Sequence, residues 1–315
     1  MRTDTAATHP SHLELPDGRR LAYAELGDPR GKPALYCHGF PSSHREARLL
    51  EPAARTMGVR LITLDRPGYG ASDVLRGRTI PTWAADCAFV LDRLGHERVG
   101  LIGVSGGGPF ALACATAMPE RLDACTLICP LGPIYEAEVL AAMPGPARVA
   151  LGLVRRAPLL SGLVYGPPVS HLLARWPVLV EQIRDGAAPR IDRTLLAEPR
   201  TRGIMNSSLR DALSRGAIGA RQDIRLYTQP WGLSFAAIRT PIDLWHGDID
   251  GTVPVAHAHW YAQHLQDCTS HILPGEGHFS LPLRHGEAIL GQLVDRGQRQ
   301  TAALQTSRDQ GREHN

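Results

Sequence analysis

The sequence predicts an α/β fold: a mostly parallel central sheet of about eight strands flanked by helices, with a helical cap inserted after the sixth strand. Three observations carry this. Short apolar runs alternate with longer helical stretches from Leu13 to Pro130, and again from Pro241 to Val294. The rhythm breaks between Leu131 and Ala237. Within the first stretch sits Gly103-Val104-Ser105-Gly106-Gly107, a glycine-flanked serine where an apolar run gives way to an Ala- and Leu-rich one.

The elements follow in order. Met1–His12 is polar and reads as a flexible leader. Leu13-Glu14-Leu15 and Leu21–Leu26 flank Pro16-Asp17-Gly18-Arg19, whose Asp-Gly step is a hairpin turn signal. Ala34-Leu35-Tyr36-Cys37 reads as a buried strand ending at His38-Gly39-Phe40-Pro41, and Glu46–Met57 as a helix. Val59–Leu64 is a strand ending at Asp65-Arg66-Pro67-Gly68-Tyr69-Gly70, and Thr82–Leu94 has helical spacing. Val99–Ile102 leads to Ser105, a helix follows from Pro109, and Ala124–Cys129 is the next strand.

Residues 131–237 are rich in Pro, Gly, Leu and Arg, and recurrent prolines keep any helix short. Leu172–Ile183 and Arg202–Leu213 are the better helix candidates there. β-Branched alternation is nearly absent, which argues for a helical cap rather than more sheet. The core is thus expected at 13–130 and 238–296. Pro241–His246 and Thr269–Leu273 are strands, Val255–Leu265 and Gly286–Val294 helices. The polar stretch 297–315 lacks residues to bury and is expected to be disordered.

Bulk properties exclude several classes. The 315 residues are 43% hydrophobic and 21% charged, ordinary for a globular protein. A net charge of +3 gives no reason to expect nucleic acid or an acidic membrane as partner. Apolar runs such as Val149–Val154 are too short for membrane insertion, and no secretion signal is read at the start. Six cysteines without a CxxC pair make no disulfide scaffold, and Cys114, Cys125 and Cys129 read as buried thiols of a cytoplasmic protein. His257, His259, His264 and His271 have no metal-ligand spacing, and Gly106-Gly107-Gly108 is no phosphate loop, so neither metal nor cofactor is expected.

The chemistry lies in the strand-end loops. A serine between strand and helix is lifted clear of the sheet, with the free N–H groups of the helix start aimed at the same spot. It needs an imidazole to take its proton and a carboxylate to orient the imidazole. Asp250 and His278 follow in two later loops, giving the order Ser–Asp–His. With His38-Gly39-Phe40-Pro41, Asp65–Ser72, His246–Pro254 and Gly275–Phe279 also in place, the sequence resembles the α/β-hydrolase fold superfamily over most of residues 13–295.

That resemblance implies Ser105 as nucleophile, His278 as general base and Asp250 as orienting acid. The backbone N–H groups of Phe40 and Gly106 would form the oxyanion hole. Asp248 is the rival acid, but the family's pattern places the acid at the second aspartate of the loop. His38 then shapes the oxyanion loop, Asp65 stabilises a turn and Arg66 pins loops. A serine nucleophile departs from the dehalogenase and epoxide hydrolase branches, which use aspartate, and SGGGP departs from the iminopeptidase elbow GxSWG. The expected activity is hydrolysis of a small to medium apolar carboxylic ester, a small-molecule substrate. Leu140, Met143, Leu153, Leu160, Leu163, Tyr165, Trp176 and Met205 are candidates to line its pocket. Lactone, thioester, amide or carbon–carbon hydrolysis, or ligand binding without turnover, are the alternatives.

Overall fold

The structure, a computed structural model, describes residues 10–160, 166, 186 and 188–313. The strands are β1 (Ser11–Glu14), β2 (Arg20–Gly27), β3 (Lys32–Cys37), β4 (Val59–Leu64), β5 (Val99–Val104), β6 (Leu122–Ile128), β7 (Ile242–Gly247) and β8 (Cys268–Leu273). The α-helices are α1 (Glu51–Thr56), α2 (Trp83–Arg93), α3 (Gly108–Ala117), α4 (Ala137–Ala142), α5 (Gly145–Arg156), α6 (Arg190–Ala197), α7 (Pro199–Leu213), α8 (Ile218–Tyr227), α9 (Ala256–His264) and α10 (Ser280–Glu313).

All eight strands form one sheet in the order β1-β2-β4-β3-β5-β6-β7-β8. The β1–β2 hairpin turns at Gly18, whose φ of 82° suits glycine. β2 also runs antiparallel to β4, and every pairing from β4 onward is parallel. The central strands are apolar on both faces because both are covered. Alternation divides them: Leu35, Cys37, Leu101 and Leu127 join one core with residues of α2 and α3. Ala34, Tyr36, Ile102 and Ile128 join another with Leu281, Ile289 and Leu290 of α10. The parallel strands deliver His38, Asp65, Ser105, Cys129, Asp250 and His278 to one edge of the sheet, where α/β sheets place their sites.

Among the described residues, the segment between β6 and β7 holds helices joined by turns and irregular chain, and no strand. It docks through Ala212, Leu213, Ala217 and Ala220 around the fully buried Tyr69. Leu140 and Met143 belong to the main core, whereas Leu153 is 44% exposed. The expected helix Leu172–Ile183, the candidates Leu163, Tyr165 and Trp176, the Leu160 side chain and leader residues 1–9 lie outside the described residues.

Three expectations change. Glu46–Met57 is two pieces, a 3-10 helix His44–Leu49 and α1, with Pro52 in the first turn of α1. Strand β1 begins at Ser11, inside the stretch expected to be loose. The last helix runs from Ser280 to Glu313 and takes in 297–313, expected to be disordered. That stretch has no proline and is rich in Gln and Arg. Once a packed helix is nucleated, such residues extend it without a core to bury. No helix among the described residues is long and apolar enough to cross a membrane.

Candidate active site

β5 ends at Val104 in an extended conformation, and Ser105 turns abruptly to φ 52°. A left-handed non-glycine residue costs of order 1–3 kcal/mol and persists only when its surroundings enforce it. Here they do. A Cβ on Gly103 would lie 2.6 Å from Ala111 Cβ of α3, and one on Gly107 would overlap the Cys37 carbonyl oxygen. Only glycine at both positions lets the turn fold this tightly between strand and helix. The Ser105 carbonyl accepts from Leu131 N–H at 2.9 Å, so the chain enters the insertion directly beside the elbow.

Asp250 and His278 meet at the same edge. His278 Nδ1 lies 2.7 Å from Asp250 Oδ2. A carboxylate only accepts, so Nδ1 carries the proton and Nε2 keeps its lone pair. The other carboxylate oxygen is held by the N–H groups of Thr252 and Val253, each at 2.8 Å. Burial alone would lower the His278 pKa. The charge and hydrogen bond of Asp250 outweigh it, Asp192 and Glu46 add to them, and the pKa stands above the ordinary histidine value. Burial alone would raise Asp250, but His278 holds its carboxyl below the usual range. Asp248 is placed differently: it accepts from Gly275 N–H at 2.7 Å and ties the two loops together.

β5 and β8 are three positions apart in the sheet, so His278 has to reach back over β7 to approach Ser105. It does so as far as Cys129, which follows β6, the neighbour of β5. Donor atoms of Cys129, Asp250 and His278 lie within 4.8 Å of one another. Among the described residues no hydrogen bond joins the Ser105 hydroxyl to His278. Such bonds commonly tighten only with substrate present. The same three residues are the one group among those described whose donors could close on a metal ion. They are already engaged otherwise: Nδ1–H is given to Asp250, and burial keeps the Cys129 thiol protonated, its pKa well above the ordinary value.

The loop before Phe40 is gripped from both sides. Arg66 gives one guanidinium N–H to the His38 carbonyl and another to the Gly39 carbonyl at 2.9 Å, while Gly39 N–H donates to Glu46 Oε2 at 2.5 Å. Because a trans peptide sets C=O and N–H on opposite sides, pinning the Gly39 carbonyl turns Phe40 N–H away from Arg66. A Cβ on Gly106 would lie 2.6 Å from Phe40 Cβ, so the two residues expected to donate to an oxyanion stand face to face. His38 Nδ1–H donates to the Gly39 carbonyl and Nε2 accepts from Arg66 N–H. Burial, then the Arg66 charge, lowers its pKa to about 3, so it serves as a neutral brace.

Arg66 is in turn held by a residue that the sequence did not single out. Asp223 of α8, fully buried, accepts from Arg66 at 3.1 and 2.9 Å, from Tyr69 Oη at 2.8 Å, and from Arg78. Tyr227, one turn on, donates to the Gly106 carbonyl at 2.7 Å. Burial would raise the Asp223 pKa, but Arg78 and Arg66 hold it below the usual carboxylate range. Removing one partner from such a buried ion cluster typically costs about 3–5 kcal/mol.

Comparison with known proteins agrees with this architecture. A sequence model described as the alpha/beta hydrolase fold matches residues 32–284. The uncharacterized hydrolase YcgS of Bacillus subtilis is 26% identical over 275 residues, covering 83% of this chain and 89% of its own. A bromoperoxidase from Bacillus anthracis superposes with a TM-score of 0.69 at 20% identity, over 92% of this chain and 99% of that one. A thermophilic esterase from Thermogutta terrifontis gives 0.65 at 21% identity, over 91% and 99%. These structural likenesses speak to the fold. With the family match spanning most of its length, the chain belongs to the α/β-hydrolase fold family.

Proposed function

We propose that the protein is a serine hydrolase acting on a small to medium apolar carboxylic ester through an acyl-enzyme. One observation carries the reading: His278 gives Nδ1–H to a buried carboxylate and keeps Nε2 as a base, at the sheet edge where Ser105 sits in a strained turn. In this reading Nε2 takes the Ser105 proton as Oγ attacks the acyl carbon. The charge on the carbonyl oxygen is met by the N–H groups of Phe40 and Gly106. Collapse expels the alkoxide with the proton from Nε2, and water repeats the sequence to free the acid and restore Ser105.

Residues 131–237 act as a cap over this site, and specificity lies there. Leu131, Ile134, Val139 and Leu140 follow the elbow into the main apolar cluster, which supports an apolar acyl group. Six free cysteines, five of them buried, fit a reducing cytoplasm.

A panel of p-nitrophenyl esters of increasing acyl length tests the substrate class. The expected result is turnover that peaks at short to medium chains. Turnover of amide or lactone substrates with none of the esters would contradict it. The pH profile has a fixed sign. Only neutral imidazole can accept a proton, and the His278 pKa is raised, so kcat/KM should climb with pH through an apparent pKa above the ordinary histidine value of about 6.5. A limb well below that value would mean another base.

A further inference from the structure

The insertion reaches the base as well as the oxyanion loop. Asp192 lies on α6 and is fully buried. Its Oδ2 accepts from the backbone N–H of His278 at 2.8 Å. Its Oδ1 accepts from those of Phe279 at 3.2 Å and Ser280 at 2.8 Å. One carboxylate from the insertion therefore takes three successive N–H groups at the start of α10, where the helix itself supplies no acceptor. Access depends on Gly277: a Cβ there would stand 2.5 Å from Asp192 Oδ2.

We propose that Asp192 is a positioning residue for His278, so that the base stands in place only while α6 of the insertion is seated on the core. The inference rests on the reading of His278 as the base. Its physical content is separate, because the imidazole can only be where its own backbone is held. That backbone is gripped by the inserted segment, which is otherwise read as a determinant of specificity. A base displaced by about 1 Å can lose on the order of a hundred-fold in rate, so the grip bears directly on turnover.

Asparagine at 192 separates the possible roles. Its single carbonyl oxygen serves the two-donor side, Phe279 and Ser280, and keeps the helix start capped. Its NH2 then faces His278 N–H, donor against donor, and the negative charge is gone. Five groups face His278: Asp250 after β7, His246 at the end of β7, Cys129 after β6, Glu46 in the 3-10 helix, and Asp192. Of these, Asp250, Asp192 and Glu46 raise its pKa.

The test compares wild type, Asp192→Asn, Gly277→Ala and His278→Ala by ester kinetics, thermal midpoint and proton NMR of the His278 Nδ1–H resonance across pH. In Asp192→Asn the expected result is a kcat lowered about ten-fold or more with KM little changed. The Nδ1–H titration should move to lower pH. Gly277→Ala, which pushes the same carboxylate away, should lower kcat in the same way and stands in if Asp192→Asn does not fold. A lower thermal midpoint with wild-type kcat and an unmoved resonance in either variant would overturn the proposal and leave Asp192 a helix cap alone. Full activity in His278→Ala would instead overturn the reading of the base, and the positioning role with it. The NMR titration reports the grip independently of which bond is hydrolysed.

Discussion

Ser105→Ala and His278→Ala are each expected to lower kcat by about a million-fold on the best ester, and the double variant to be scarcely worse. The near-equality follows from the parts acting as one unit. Without Nε2 the Ser105 hydroxyl keeps its proton and is a poor nucleophile; without Oγ the imidazole has nothing to deprotonate. What survives in all three variants is the stabilisation supplied by Phe40, Gly106 and substrate binding, worth roughly a thousand- to ten-thousand-fold over water. Single-turnover kinetics on the three purified variants make the measurement. Losses that multiply would mean that the serine and histidine work in separate sites. All three should fold, since Ser105 makes its hydrogen bond to Leu131 through its backbone carbonyl and the His278 backbone stays held by Asp192 when the imidazole is removed.

Asp250→Asn carries the second-largest expected loss, on the order of ten-thousand-fold in kcat. The geometry says why. Oδ1 is fixed by the N–H groups of Thr252 and Val253, so the amide oxygen of an asparagine would settle there. Its NH2 group then points at His278 Nδ1, which can only accept. The ring proton moves to Nε2, the atom that must be bare. Asp248→Asn should be mild, because an amide oxygen can still accept from Gly275 N–H. A severe loss at 248 with a mild one at 250 would reverse the assignment of the acid. Parallel kcat measurements on the two variants decide between them.

Much of the site could be read from the chain because its chemistry is local. Gly103 and Gly107 are required by contacts made within or beside the turn, so their spacing around Ser105 is visible in five residues. Asp250 and His278 each follow a strand readable in the sequence, and a parallel sheet sends the ends of its strands to one edge. The residues that were not legible act at long range. Asp223 meets Arg66 across 157 positions, and Asp192 meets His278 across 86. In sequence each is one more aspartate in a polar, proline-punctuated stretch, and its burial is decided by packing that no local pattern records. Asp192 sits in the first turn of α6, where an acid is ordinary for reasons of helix dipole alone. The helical tail is illegible on a related ground: polar composition speaks to burial, whereas extension of α10 depends on helix propensity beyond an anchored start.

In the proposed mechanism Ser105 is an activated nucleophile. A fluorophosphonate tests it most directly, because Oγ attack on phosphorus expels fluoride and leaves a stable adduct that intact mass and peptide mapping locate. One equivalent on Ser105 is predicted, absent in Ser105→Ala and strongly slowed in His278→Ala. Folded protein that takes up no label, or takes it up on another residue, would contradict the account.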